Sequence, residues 1–172
     1  MKKLIFLILL LCASSIIYSQ KKVNLSGNVG IFSPIGNFSE VSKLGIGATA
    51  NLRYSLLEEV EIASVIGYLL SGSKVGGYTN KVLPALIGCR YYPIGKKDNE
   101  FKPYALALAG FQYTKIDFGY FQVNSKTYYG ILLGGGFLYT LSEKLDVEVG
   151  FSVFMMDDAS HLTFMIGLTD PF

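Results

Sequence analysis

Apolar and polar positions alternate along most of the chain beyond residue 22, and the cleanest run is LDVEVGFSVFM at residues 145–155. In an extended strand Leu145, Val147, Val149, Phe151, Val153 and Met155 share one face, and Asp146, Glu148, Gly150 and Ser152 share the other. Phe154 is the one residue out of step. The same period opens at Val23, where Val23, Leu25, Val29 and Ile31 stand against Asn24, Ser26, Asn28 and Gly30. It returns near residues 44–56, 60–70, 81–92, 104–113, 126–140 and 161–169, which makes eight segments. Pro84 demands an irregular or edge-like position in the fourth. The facing of the fifth is ambiguous, because its ALALAGF core alternates small with larger apolar residues. The turns at 57–59 and 141–144 are short and the charged connection PIGKKDNEF at 93–101 is longer. Between them fall polar or glycine-rich loops at 33–43, 71–80, 114–125 and 156–160. Eight such segments joined in succession predict a closed, antiparallel, up-and-down β-barrel.

Alternation does not say which face points outward. The polar face settles it: it consists largely of Gly, Ser, Thr and Asn, with a charge only here and there, whereas a soluble barrel wets its outside with Lys, Glu and Asp. Small polar residues suit the lumen of an eight-stranded barrel, which is just wide enough for side chains to fill. The apolar face is then expected to meet lipid, where a closed ladder leaves no backbone group unpaired. Tyr54, Tyr68, Tyr91, Tyr113, Tyr129 and Tyr139 fall toward strand ends, as an aromatic girdle at the headgroups would.

Composition agrees: 51% of the 172 residues are hydrophobic and 16% charged, with 19 Gly, 12 Tyr and 12 Phe, which favours strands and turns over helices. No stretch beyond residue 20 has the roughly 18 consecutive apolar residues of a membrane helix. Lys2 and Lys3 followed by the apolar run at residues 4–11 and a more polar exit predict a cleaved signal peptide over residues 1–19, with the barrel domain over 20–172. Ile17 is a large residue for the position before such a cut. Cleavage removes two of the 15 basic residues and none of the 13 acidic ones, so the mature chain is formally neutral, and nothing in its charge calls for nucleic acid. Leu11 before Cys12 argues against lipidation. Cys89 is then the only cysteine, so it forms no internal disulfide and reads as a small apolar residue.

With these pieces in order, the chain resembles the small outer-membrane β-barrel proteins of Gram-negative bacteria. The resemblance spans the mature chain and rests on FSPIGNF at 32–38, GIGATANLRYSL at 45–56 and KPYALALAGF at 102–111. The ending is similar too: Phe172 is a final aromatic with Gly167 five positions before it, which in that family the insertion machinery reads, while Asp170 departs from the pattern. The resemblance implies location in the cell outer membrane, with outer-membrane lipid and the insertion machinery as partners, and extracellular proteins or ligands met through the loops. It implies no cofactor.

Candidate chemistry is sparse. Arg53, Glu61, Arg90, Asp146 and Glu148 lie on the polar face near the short-turn end, which is expected to be periplasmic. Charges confined in a lumen must be paired, so an ion-pair cluster is expected there, with the two acids of the opening run as partners of the arginines. The loop at 114–125 holds Lys115, Asp117, Phe118, Tyr120 and Phe121, a combination suited to surface contact. The sole histidine, His161, stands beside Ser160 and near Asp157 and Asp158. Adjacent strand residues face opposite ways, so Ser160 is badly placed for a triad, and His161 reads as a surface-loop residue. The glycines at 134–136 lack the following helix and Lys-Ser/Thr pair of a phosphate loop and read as a strand thinned for curvature or close packing. No zinc or calcium spacing occurs. The function expected is that of a non-enzymatic membrane barrel with a structural or surface-interaction role. A narrow pore or transporter for small or hydrophobic solutes is the alternative, and a lipid-modifying enzyme built on His161 is the third reading.

Overall fold

The structure is a computed structural model, and it describes residues 23–74, 79–96, 99–117, 123–142, 145–157 and 160–171. The region of the expected signal peptide lies outside them, as does Phe172. Eight strands follow one another: β1 (Val23–Pro34), β2 (Ser42–Ser55), β3 (Val60–Ser73), β4 (Thr79–Tyr91), β5 (Phe101–Asp117), β6 (Val123–Ser142), β7 (Leu145–Met155) and β8 (His161–Pro171). A single helical turn, α1 (Asn37–Val41), joins β1 to β2. Each strand pairs antiparallel with its chain neighbour, and β1 pairs with β8 from Asn24↔Pro171 to Pro34↔His161, so the barrel is closed. Closure leaves no open edge.

The alternation in sequence becomes an inside and an outside. Val29, Ile46, Ile66, Ile87, Phe151 and Ile166 project outward and are exposed, while Asn28, Arg53, Glu61, Arg90, Glu148 and Thr169 project inward and are buried. This reverses a soluble protein's burial. The outward tyrosines fall at two levels. Tyr54, Tyr91 and Tyr139 lie near the short-turn end, where the register sets them beside Val23, Val60 and Phe101. Tyr68, Tyr113 and Tyr129 lie nearer the other end, beside Ala48, Leu83 and Phe111.

The register also settles β5. Leu106 stands opposite Arg90 and Gly134, and Leu108 opposite Gly88 and Leu132, so the leucines turn inward and Ala105, Ala107 and Ala109 outward. Both sets are apolar, which is why the alternation could not assign them. Pro84 sits where the β3–β4 ladder skips from Ile66↔Ala85 to Leu69↔Val82, so its missing N–H costs no cross-strand bond there.

Several strands run further than their alternation. β3 continues to Ser73, β5 to Asp117, and β6 starts at Val123, so Lys115 and Asp117 are strand residues rather than loop residues. Lys115 pairs in register with Lys81 and Ser125. Beyond an apolar belt water can solvate either face, so the hydrophobic pattern stops while the backbone ladder goes on. Phe118, Tyr120 and Phe121 lie outside the described residues.

Three layers of side chains fill the lumen. Farthest from the short turns, Phe38 from α1 enters the barrel to pack with Phe32, Leu69 and Val82. The middle layer is Ala63, Leu86, Leu108 and Phe154. Tyr92, Tyr104 and Leu138 lie at the short-turn end, among the charges. The expected lumen of small polar residues therefore holds for part of the barrel only, and Phe154, the residue out of step in its strand, is one of the most deeply buried.

Candidate functional site

The charged layer is built from inward positions at the short-turn ends of four strands. Arg53 on β2 faces Asn24 across the ladder, and Glu61 on β3 faces Ser55 and Arg90. Glu148 on β7 faces Leu138 and Gly167. Adjacency along the ladder does not decide the pairing. Arg90 Nη2 instead crosses the lumen to Glu148 Oε1 at 2.6 Å, and Arg53 Nη1 lies 4.0 Å from Glu148 Oε2. Arg53, Arg90, Glu61 and Glu148 are each 1–2% exposed. At that depth the pairing and the surrounding hydrogen bonds must offset a desolvation cost of several kcal/mol per ion.

Two tyrosines that the alternation did not single out complete the layer. Tyr104 hydroxyl donates to Glu148 Oε1 at 2.8 Å, and its ring lies under the Arg90 guanidinium, 3.8 Å from centroid to carbon. It reaches there because Gly136 and Gly150 face each other across β6 and β7. A Cβ at either would come within 2.8 Å of the Tyr104 hydroxyl. The glycine-rich stretch thus makes room for this side chain. Tyr92 follows β4 and is anchored by its own N–H, which donates to Glu59 O at 2.8 Å. Its hydroxyl donates to Glu61 Oε2 at 2.8 Å. Burial pushes the Tyr92 phenol up to about 12, against the pull of Arg90 and Arg53, so it stays a neutral donor.

A second tier lies nearer the mouth. Gly95 takes φ 71°, a left-handed turn conformation suited to glycine, and the chain then directs Lys96 back over the opening. Lys96 Nζ meets Glu61 Oε1 at 2.7 Å and Ser55 Oγ at 2.6 Å. Lys102 Nζ holds Asp146 Oδ2 at 3.0 Å, and Thr140 hydroxyl donates to Asp146 Oδ1 at 2.7 Å. The expectation that Asp146 partners an arginine is corrected here. Asp146 lies one inward position nearer the mouth than Glu148, opposite Thr140 and Thr169, within reach of Lys102.

Taken together, the layer is an ionic plug. Its carboxylates, Glu61, Asp146 and Glu148, each have a cationic and a hydroxyl partner. Tyr104→Phe keeps the ring on Arg90 and removes one hydrogen bond to a carboxylate. The expected cost is about 1.5–3 kcal/mol, read as a lowered urea midpoint for the barrel folded in lipid vesicles; an unchanged midpoint would remove Tyr104 from the plug.

The remaining sequence candidates fall elsewhere. His161, expected on the surface, is the first residue of β8, 3% exposed, and faces the lumen. Its period with Thr163 and Met165 governs it rather than its polar neighbours in sequence. Its ring lies between those of Phe32 and Phe154, with centroids 5.5 Å away on each side. Ser160 hydroxyl donates to Met156 O at 2.8 Å and accepts from Met156 N at 3.1 Å, closing the β7–β8 turn. Gly167 lies inside the barrel opposite Asn28, and a Cβ there would collide with the Asn28 amide. Cys89 is exposed on the outer face. Among the described residues no cluster of His, Cys, Asp and Glu could hold a metal ion.

No protein-family model matches the chain, and no curated protein matches it in sequence. Solved structures do match. Neisserial surface protein A superposes with a TM-score of 0.67 at 12% identity, over 87% of this chain and 97% of that one. The outer membrane protein OprG from Pseudomonas aeruginosa gives 0.66 at 15%, over 88% and 96%. Ail, the attachment invasion locus protein of Yersinia pestis, gives 0.58 at 16%, over 88% and 99%. At these identities the likeness establishes the architecture, the closed eight-stranded barrel of small outer-membrane proteins, and not a shared activity.

Proposed function

We propose that this chain is a non-enzymatic integral protein of the outer membrane whose filled barrel serves as a scaffold for envelope integrity or for surface contact through its longer connections. The observation that carries this reading is the inverted burial: an apolar, aromatic-edged outside around an interior that holds the ion pairs. In lipid such a belt is buried, whereas in water a patch that size would drive aggregation. The architecture shared with OprG and Ail supports the same location. Ail is named for attachment and invasion, and surface contact is the corresponding proposal here.

Catalysis is disfavoured by the placement of its best candidates. His161 is enclosed by two aromatic rings, and Ser160 is committed to the backbone of Met156. A solute pathway is disfavoured by the filling of the lumen. Phe32, Val82 and Tyr92 are fully buried, and between them they occupy both ends of the barrel. Liposome flux tests this directly. Vesicles carrying the folded protein should retain a small sugar as well as protein-free vesicles do; rapid, protein-dependent leakage would favour the transporter reading instead.

The lipid-facing surface has its own test. Ile166 is outward, opposite Val29 and Val149 in the middle of the wall. Ile166→Lys is expected to destabilise the barrel in a bilayer by about 2–4 kcal/mol, measured by urea unfolding from vesicles. On a water-facing strand the same change falls within about 0.5 kcal/mol, and that result would count against membrane insertion.

A further inference from the structure

Between the ionic plug and the aromatic layer around Phe38, the lumen keeps an internal chamber of about 80 Å³. Arg90 and Glu148 of the plug border it at one end and His161 and Phe154 at the other, and the wall between carries amides and leucines. Asn28 and Asn51 line it from β1 and β2, with Gln112 reaching it from β5. Leu86, Leu108 and Leu132 supply apolar wall on β4, β5 and β6. All three amides are at least nine-tenths buried. Two of them spend their N–H groups on neighbours, Asn51 Nδ2 on Ser26 Oγ at 3.2 Å and Gln112 Nε2 on Thr114 Oγ1 at 3.4 Å. The carbonyl oxygens of all three, Asn28 Oδ1, Asn51 Oδ1 and Gln112 Oε1, have no hydrogen-bond partner within the protein.

We propose that this chamber is a binding site for a small neutral hydroxyl compound, held by donation from its O–H groups to the three amide oxygens. A buried acceptor left unmatched costs about 1–3 kcal/mol, so unmatched acceptors on three residues that line one space favour a donor strongly. An anion would face carbonyl dipoles of the wrong sign. The two charged residues that line the space, Arg90 and Glu148, are already paired with each other, so neither is free for an ionic guest. Size limits the guest. The chamber has room for a few waters and is well below the ~150 Å³ of an engineered cavity that admits benzene. Water and a short-chain alcohol share the required donor, and the alcohol also has an apolar end to set against the leucines.

The test uses the full mature chain folded in bicelles, with labelled side-chain amides followed by nuclear magnetic resonance. Bound water gives cross-peaks from water to the Asn51 and Gln112 side-chain amides. Propan-1-ol is then titrated as the alcohol probe. Saturable shifts of these resonances identify an alcohol site, and water cross-peaks with no saturable shift identify an ordered-water site. Either result requires the amides, so Asn51→Leu should abolish the cross-peaks and weaken propanol binding at least tenfold. Gln112→Leu serves as a second variant should the first fail to give the heat-shifted band of a folded barrel. The absence of water cross-peaks in the folded wild type, together with shifts that grow linearly with propanol, would mean an adventitious additive only and would overturn the proposal. Binding undiminished in both leucine variants would overturn it equally.

Discussion

Replacing Glu148 with alanine is expected to destabilise the barrel by about 3–5 kcal/mol, the cost of leaving a buried charge without its counter-ion. Glu148 is the hub of the ionic plug. It accepts from Arg90 at 2.6 Å and from Tyr104 at 2.8 Å, and it faces Arg53 at 4.0 Å. Without it, Arg90 would keep its cation–π contact with Tyr104 and one long hydrogen bond to Tyr92 of 3.5 Å, and no carboxylate. Those contacts are too weak to hold a guanidinium away from water. Urea unfolding from lipid vesicles reads the loss. The double variant Arg90→Met with Glu148→Leu removes both charges and fills their space with apolar atoms, so it should recover part of it. If the double variant is as unstable as the sum of the single ones, the two residues do not act as a pair.

Phe154→Ala should cost a similar amount, about 3–5 kcal/mol, for a different reason. Phe154 is 1% exposed, belongs to the middle layer with Ala63, Leu86 and Leu108, and packs its ring against His161. Truncation leaves a cavity in a barrel whose closed backbone ladder has little freedom to collapse around it. Phe154→Leu retains much of the volume and should cost less than half as much. Measured side by side in vesicles, equal losses for the two variants would show that ring shape rather than volume is what this layer requires.

The two-residue period made most of the architecture legible. It assigned outward and inward faces on seven strands, and it marked Arg53, Glu61, Arg90, Asp146 and Glu148 as sharing one face because each is out of step with the outward apolar residues of its own strand. It could not say which charge meets which, since partners are chosen across the lumen by height and reach. Asp146 finds Lys102 for that reason, while Arg90 passes over its ladder neighbour Glu61 for Glu148. Tyr104 was hidden on β5, where small and large apolar residues alternate and parity has no polar marker. Tyr92 closed the fourth segment in step with Arg90 without being singled out, and Lys96 was hidden because it lies in a turn, where periodicity ends. The apolar filling of the lumen did leave a trace. Phe154 is in step with Asp146 and Glu148, Phe32 with Asn28, and Val82 and Leu86 with Arg90. Those coincidences of parity were the available sign that part of the inward face is apolar.

The central claim is that this is a closed barrel embedded in the outer membrane, and membrane fractionation with electrophoresis of boiled and unboiled samples tests it most directly. An embedded barrel is recovered with the outer membrane, and its unboiled form migrates apart from the boiled one because the ladder that joins β1 to β8 survives detergent until heated. Recovery as a freely soluble protein, with one band whether or not it is boiled, would contradict it.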